Sequence, residues 1–599
     1  MRLRTILALG PHNVARVLLY RAGLATGLHP RLTIHANAPS GPFFSPPLLP
    51  AAPHLWPRKG WIRDEELVFG QSQPRLDGAT DPPDWFASAD GTARISSKGP
   101  WWKIPDFASG AGDIKAIWER SRFDWLLAMA QRAACGDDAE LQRLNQWMAN
   151  WCATNPPYMG CNWKCGQEAS IRLLHAILAA VMLGQDSTPQ RGLRDFVKVH
   201  LQRIAPTIGY AIGQTNNHGT SEAAALFVGG SFLGGIAGQR WSALGRKWLE
   251  NRARHLIAKD GTFSQYSVTY HRVMLDTYAM AELWRKRHQL PAFSMSLTKR
   301  LTAATVWLVQ MTDPESGDAP VIGANDGAHL IRLTDCGYRD FRPSVQLAST
   351  LFKNAAPYPT GPWDQQLFWL GIDRPAQTTA APQSKSFDDG GFHVLRAGAA
   401  IAYLRYPRFR FRPSQADAMH CDLWVRGQNI LRDAGTFSYN TSAADMTYFN
   451  GAFAHNTITF DNRDQMPRLG RFLFGNWLQA QDVELITDNS AAAAYQDRKG
   501  AYHARHLTLH SNCLVVRDTI SGFQQNAILR WRLRPGAWEL SGHAARSQSI
   551  TLSVSATTPI TRLVFVEGWE SRYYSSKTPV PVLEIAVDRP GVLTTKVEF

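Results

Sequence analysis

The sequence predicts a protein in two parts, helices first and antiparallel β-strands second, in separate domains. Three observations predict it. Hydrophobic residues recur every three or four positions from about residue 113 to 313. A Pro-, Ala- and Gln-rich stretch, Arg374 to Ser386, then breaks the pattern. Beyond it come many short runs of β-branched and aromatic residues. A length of 599 residues also exceeds what one hydrophobic core organises.

The N-terminus, Met1 to Gly10, is basic and then briefly apolar, and charges resume in Asn13 to Arg21. The apolar run is short for a signal sequence, and no small-residue cleavage site follows. No uncharged run reaches the roughly 18 apolar residues of a membrane span. Bacterial periplasm and cytoplasm both stay open as compartments. Residues from about 30 to 110 are rich in Pro, Gly and Trp, so residues 1–110 are expected to form an irregular lead-in packed on the main body. In the helical part, Ile114, Ile117, Trp118, Phe123, Leu126 and Leu127 set the period. It returns in 139–153, 166–184, 193–205, 219–235, 241–257, 270–288 and 297–311. Short connections between such helices imply stacked antiparallel hairpins. Strands are predicted at 399–405, 457–460, 514–516, 561–566 and 582–587, a spacing that suits a sandwich.

Lys and Arg outnumber Asp and Glu by 64 to 49, a net charge of +15. Such a field attracts anionic polymers, whether nucleic acid, acidic membrane or acidic polysaccharide. The 21 Trp suit sugar stacking as well as core packing, and most are expected in the core. Seven Cys, an odd number, do not form a disulfide framework, and Cys161 and Cys165 read as buried thiols.

Four stretches concentrate polar residues in apolar surroundings. Thr215-Asn-Asn-His-Gly-Thr-Ser-Glu222 opens a helix, and helix capping accounts for only one or two of its side chains. Gln265 to His271 opens another helix, where a Tyr–His pair is by itself more often packing than chemistry. Arg412 to Trp424, continued by Asn429 to Thr436, is the third, and Asn450 to Asp461 the fourth. His420, Asp433 and His455 have the composition of a zinc site, but a structural hydrogen-bond cluster explains them equally well. Glu168 and Arg172, four apart on one helix face, are expected to pair.

Taken in order, these stretches resemble the heparinase II/III superfamily, which includes heparin, heparan sulfate and alginate lyases. Trp118-Glu-Arg-Ser-Arg122, Asn162 to Glu168, Asn217-His218 and Tyr270-His271 resemble its helical half. His420-Cys-Asp-Leu-Trp424, Asp433-Ala-Gly-Thr and His455-Asn-Thr resemble its β half. The resemblance implies an incomplete α/α toroid over residues 111–372, followed by an antiparallel β-sandwich over 387–599.

It also implies a lyase that cleaves an acidic, uronate-containing polysaccharide by β-elimination. Asn217 and His218 would neutralise the uronate carboxylate, and Tyr270, with His218 or His420, would move the protons. Trp118, Arg122, Glu222 and His271 would line the substrate cleft. Arg272 or a protonated His would lower the Tyr270 pKa. One divalent metal, zinc ahead of calcium, would sit on His420, Asp433 and His455, with no organic cofactor. The expected partner is the polysaccharide, with no nucleic acid and no membrane-spanning segment; oligomeric state stays open.

In one place the sequence departs from the family. Several relatives carry His-x-His before the sandwich Asp, with the first His as base; here that position is Ala418. Either His420 is the base, or His420 binds metal and the protons move through Tyr270 and His218. Three rivals remain. A uronate C5-epimerase shares the proton abstraction. A glycoside hydrolase would draw two carboxylates from Glu119, Glu168 and Glu222. A non-catalytic glycan-binding protein would need only the basic cleft and Trp.

Overall fold

Helix starts in this chain are marked by short polar side chains that satisfy the free N–H groups of the first turn. In the computed structural model, which describes residues 2–48, 50–61, 65–75, 81–95, 99–105 and 112–599, Asp113, Asp137, Asn216, Ser267 and Ser294 all act this way. The helices are α1 (Arg2–Leu9), α2 (Pro11–Thr26), α3 (Ile114–Ser121), α4 (Asp124–Ala134), α5 (Asp138–Thr154), α6 (Gly166–Met182) and α7 (Arg191–Ile204). They continue with α8 (Ile208–Gly213), α9 (Asn217–Leu233), α10 (Gly235–Leu256), α11 (Val268–Arg287), α12 (Met295–Met311), α13 (Arg342–Lys353) and α14 (Gln365–Trp369). From α3 onward they form the incomplete toroid.

At its centre α9 is buried on nearly every side, apolar from Ala223 to Gly230, and packs on α6, α7, α10 and α11. Helices α9 and α10 approach so closely that a Cβ on Gly245 would lie 2.3 Å from the Phe227 nitrogen. Ten Trp side chains are fully buried, so these indoles serve packing.

The irregular lead-in expected over 1–110 needs correction at its start, where α1 and α2 are helical. Pro11 at the first turn and the left-handed Gly27 at the end give α2 ordinary boundaries. The rest runs across the toroid with little regular structure. Asn145 Oδ1 accepts from the Phe43 and Phe44 N–H groups at 2.9 and 3.0 Å, and Trp61 Nε1 donates to Asp124 at 2.8 Å. Residues 62–64, 76–80, 96–98 and 106–111 of this segment lie outside the described residues.

After Trp369 the chain crosses to the β half, whose first strand is Lys385–Phe387. Five antiparallel strands in sequential order, ending with His420–Val425 and Gln428–Leu431, form a sheet buried on both faces at its centre. One side meets the toroid through Tyr403, whose hydroxyl donates to the Met311 carbonyl, and through Phe392 against Trp307. The other side meets an eight-stranded sheet. In that sheet, Tyr502–Leu509 alternates buried and half-buried residues, as a strand with one covered face should. A four-stranded sheet, Ile560–Tyr573, Ser576–Val587, Ala527–Arg532 and Ile458–Phe460, completes the domain.

After Gln428–Leu431 the chain does not turn straight into the next strand. It reaches back to the toroid, where Asp113 Oδ2 accepts from Ser438 Oγ (3.0 Å), Asn440 N (3.2 Å) and Tyr574 Oη (2.5 Å). Thr436 Oγ1 accepts from the Asn325 N–H at 3.0 Å. These bonds hold residues 436–440 against the helical half.

Candidate active site

The first turns of α9 and α11 lie side by side. Gln265 Oε1 accepts from the Asn217 N–H at 2.8 Å, and Ser264 Oγ donates to the Thr215 carbonyl at 3.1 Å. The Asn217 side-chain amide makes no hydrogen bond to a described residue. The half-buried His218 ring has one neighbour of this kind, Cys165 Sγ at 4.0 Å from Nδ1. Burial lowers the His218 pKa and outweighs the nearby Glu222, so the ring is neutral at pH 7.

Glu222 follows His218 by one helical turn and is buried, with one carboxyl oxygen unpartnered. Burial pushes its pKa up to about 8, with His218 opposing. Its carboxyl fits only because residue 166 is glycine: a Cβ there would be 2.4 Å from it. Glu222 is thus enclosed behind His218 rather than open to solvent.

Tyr270, in the first turn of α11, meets a side chain from the β half. Its hydroxyl lies 2.9 Å from that of Tyr439. Burial, and after it Asp326, raises both phenol pKa values well above the usual range, so both are protonated at rest. The Tyr439 N–H donates to Tyr574 Oη at 2.7 Å, and the Arg471 guanidinium donates to the Tyr439 carbonyl. Arg412 is close enough to both tyrosines to interact electrostatically and acts to lower the Tyr439 pKa. It forms no hydrogen bond or ion pair with a described residue, which leaves its charge available. Around the pair, Tyr210, Gln214, Asn216, His218, Gln265 and Arg412 are half-buried, a polar seam between the two halves.

Under this seam lies an ion-pair network. Lys115 Nζ is 2.8 Å from Asp326 and sits 5.5 Å from the Tyr439 ring centre. Arg122 makes two bonds to Glu168, at 2.8 and 3.0 Å, and one to Glu119 at 2.8 Å. Burial would raise the Asp326 pKa, but Lys115 and Arg122 outweigh it and hold the carboxylate ionised. Arg122 is thus committed to carboxylates rather than free for substrate.

Other expected residues also point elsewhere. Trp118 is buried and donates from Nε1 to the Cys161 carbonyl at 2.9 Å. His271, beside Tyr270 in sequence, faces α12: Nε2 lies 2.8 Å from the Ala304 carbonyl and the ring stacks on Trp307 at 4.3 Å. Successive helix residues are turned about 100° apart, so neighbours need not share a face. Arg272 donates to the Tyr338 carbonyl and lies over the Tyr338 and Phe341 rings; the tyrosine pair has Arg412 and Lys115 nearby instead. The expected Glu168–Arg172 pair gives way to Glu168–Arg122, while Arg172 bonds the Ser121 and Asn162 carbonyls. Cys161 is buried as expected, but Cys165 is half-buried beside His218.

The second polar centre lies inside the β half. His420, Asp433 and His455 are fully buried and bring one donor atom each within 4.8 Å of one another. His455 Nδ1 is 2.7 Å from Asp433 Oδ2, and His420 Nε2 is 3.5 Å from both Asp433 and Asp422. The Asn456 N–H donates to His420 Nδ1 at 3.0 Å, which leaves Nε2 pointing at the carboxylates. His420 Nε2, His455 Nε2 and Asp422 Oδ2 have no described partner. Two imidazoles, one or two carboxylates and orphaned buried atoms fit a divalent metal, and the nitrogen donors favour zinc over calcium. His420 belongs to this closed group rather than to the seam.

Tyr439, Arg412, Asp326 and Lys115 were not singled out as site residues in the sequence. Tyr439 lies three residues after Asp433-Ala-Gly-Thr436, in a Ser/Asn/Thr-rich loop, and Asp326 sits in Asn325-Asp326-Gly327, which reads as a turn. Arg412 does open a motif, yet nothing local marks it as catalytic.

Two family models match the chain: heparinase II/III N-terminus over residues 103–332, and heparinase II/III-like, C-terminal over 379–576. The chain belongs to the heparinase II/III superfamily. Within this superfamily it is 23% identical over 441 residues to a heparin-sulfate lyase of Pedobacter heparinus, covering 70% of this chain and 63% of that protein. A heparin-sulfate lyase of Bacteroides thetaiotaomicron is 22% identical over 382 residues, covering 59% and 52%. The chain thus matches less than two thirds of the length of these relatives.

Among solved structures, a heparinase III superposes with TM-score 0.63 at 16% identity, over 86% of this chain and 82% of that one. A Streptomyces coelicolor chondroitin AC lyase, in complex with chondroitin sulphate, gives 0.51 at 14% identity, over 81% and 74%. At such identities the structural likeness concerns the fold.

Proposed function

We propose that this superfamily member is a polysaccharide lyase that cleaves an acidic, uronate-containing polysaccharide by β-elimination. The observation that carries this reading is the Tyr270–Tyr439 hydroxyl pair, 2.9 Å apart, with the uncommitted Arg412 guanidinium near both and the first turn of α9, which carries Asn217, alongside that of α11. The heparin-sulfate lyases among its relatives support the same substrate class.

In this reading Asn217, His218 and Arg412 hold the uronate carboxylate. A carboxylate resists loss of the neighbouring C5 proton because the carbanion would add a second negative charge, and preorganised donors stabilise that charge as it forms. Both tyrosines begin protonated, so neither can act first as a base. The elimination is concerted: as the C5–H bond breaks and its electron pair forms the C4–C5 double bond, the C4–O bond breaks, one hydroxyl gives its proton to the glycosidic oxygen, and the phenolate oxygen so formed, favoured by Arg412, takes the C5 proton. The protons balance within the pair.

A metal held by His420, Asp433 and His455 would supply a fixed positive charge that clamps the β-sandwich interior. Asp433 also accepts from the Gly435 N–H at 2.8 Å, at the root of the segment that carries Tyr439. The cluster therefore positions Tyr439 and does not touch the sugar.

The hydrolase reading loses ground because Glu119 and Glu168 are both bound to Arg122 and Glu222 is buried. The deciding experiment follows near-ultraviolet absorbance of unsaturated ends over a panel of uronate polysaccharides, with a carboxyl-reduced copy of each polymer cleaved. The acid form should be cut with rising absorbance and the reduced form left intact. Equal cleavage of both would overturn the lyase. C5 proton exchange without absorbance would assign an epimerase.

A further inference from the structure

Helices on a protein surface normally turn their apolar side inward. Helix α2 does so only in part: Tyr20 and Leu24 pack on the core, while a second apolar face is left uncovered. Toward the body it presents Asn13, Arg16, Val17 and Tyr20: Arg16 lies over the Trp248 ring at 5.4 Å, Tyr20 stacks on Tyr210 at 4.1 Å, and Asn13 and Val17 abut Gly213. Away from the body, at spacings of three and four, come the exposed Ala15, Leu18, Leu19, Ala22 and Ala25. Leu18 is 59% and Leu19 73% exposed. Exposed apolar residues continue before and after α2, at Ile6, Leu7 and Leu28. No residue of α2 is buried.

Charge runs one way in the same region. Arg2, Arg4, Arg16, Arg21 and Arg31 fall within the first 50 residues, and no Asp or Glu occurs before Asp64. Arg21 is exposed, next to the leucine face. An outward apolar face bordered by Arg21, in a segment whose first 50 residues carry five Arg and no acid, has the chemistry of a helix lying in the interface of an anionic bilayer. At 16 residues α2 is about 24 Å long, short of the hydrocarbon thickness. No helix among the described residues is long and apolar enough to span a membrane.

We propose that α1 and α2 dock the protein on the surface of a membrane rich in anionic lipid, with Leu18 and Leu19 in the interface and Arg21 at the phosphates. This placement does not rest on the lyase reading, and neither depends on the other's test.

The test is flotation of the full chain with extruded vesicles of phosphatidylcholine, alone or with about 30% phosphatidylglycerol, an anionic fraction high enough to draw a basic segment. Wild-type protein should float with the anionic vesicles only, and less so as salt rises. Leu18→Glu/Leu19→Glu should cut that partitioning by about ten-fold or more, with an unchanged unfolding midpoint. Leu18→Phe/Leu19→Phe should keep it. Absence of flotation with anionic vesicles, or equal flotation of the double Glu variant, overturns the proposal. A dimer that becomes monomer in the Glu variant, without vesicle binding, would assign the face to a second copy.

Discussion

The seam around Tyr270 and Tyr439 and the cluster around His420 are built from similar polar residues but differ in access. In the seam, Tyr439, Arg412 and His218 are half-buried, and the Asn217 amide and Arg412 guanidinium lack partners among the described residues. In the β half, His420, Asp422, Asp433 and His455 have essentially no exposed surface, and His420 Nε2, His455 Nε2 and Asp422 Oδ2 are buried without a described partner. Open, uncommitted donors suit a large anionic ligand that comes and goes. Closed ones suit a small ion bound once, during folding.

The comparison breaks most sharply at Tyr270. Tyr270→Phe removes one hydroxyl and should lower kcat by about 10³-fold, the usual scale of positioned acid–base catalysis, with little change in melting temperature. Near-normal turnover on an identified substrate would move the chemistry out of the seam. Arg412→Ala should cost about 10²-fold in kcat, as loss of one donor to developing charge does. An effect confined to KM would make Arg412 a binding residue only.

The closed cluster should respond in the opposite way. Chelation, or His455→Ala, should lower the unfolding midpoint by several degrees, because removing an ion bound only by the folded state withdraws its stabilisation. Metal analysis of purified protein should find about one zinc per chain. Metal-free protein with unchanged melting and full activity would leave the cluster as a hydrogen-bond network.

The smallest effect belongs to Glu222. Its folded pKa, about 8, lies above the ordinary carboxyl value. The folded state therefore binds a proton that the unfolded state has lost, and the contribution to stability is present below about pH 4.5 and lost as pH rises through about 8. Glu222→Gln should melt like wild type near pH 4 and at a higher temperature than wild type near pH 9. Identical melting differences at both pH values would show that Glu222 does not titrate across this range.

The helical period between residues 113 and 313 determined α5, α6, α7, α9, α11 and α12 to within two residues, because each buries a face spaced by the helix's own geometry, while α10 begins six residues before the expected 241. The strands and the break between the halves were legible for the same local reason. Helices α1, α2, α8 and α13 were not, since α2 has no buried residue and α13 follows a long irregular segment. The motifs also located Asn217, His218 and Tyr270, which lie at helix starts where polar side chains break an apolar pattern.

What the sequence could not decide was partnership. Glu168 chose Arg122, 46 residues away, over Arg172 one turn along its own helix. His271 turned away from Tyr270 although adjacent to it. Tyr439 reached Tyr270 across 169 positions, carried by a loop that Asp113 and Thr436 tie to the toroid. Local pattern reports which face a residue occupies, because hydrophobic burial acts on each element separately. Which charged or hydroxylic side chain it meets depends on how two finished domains pack, and that information exists only in the tertiary structure.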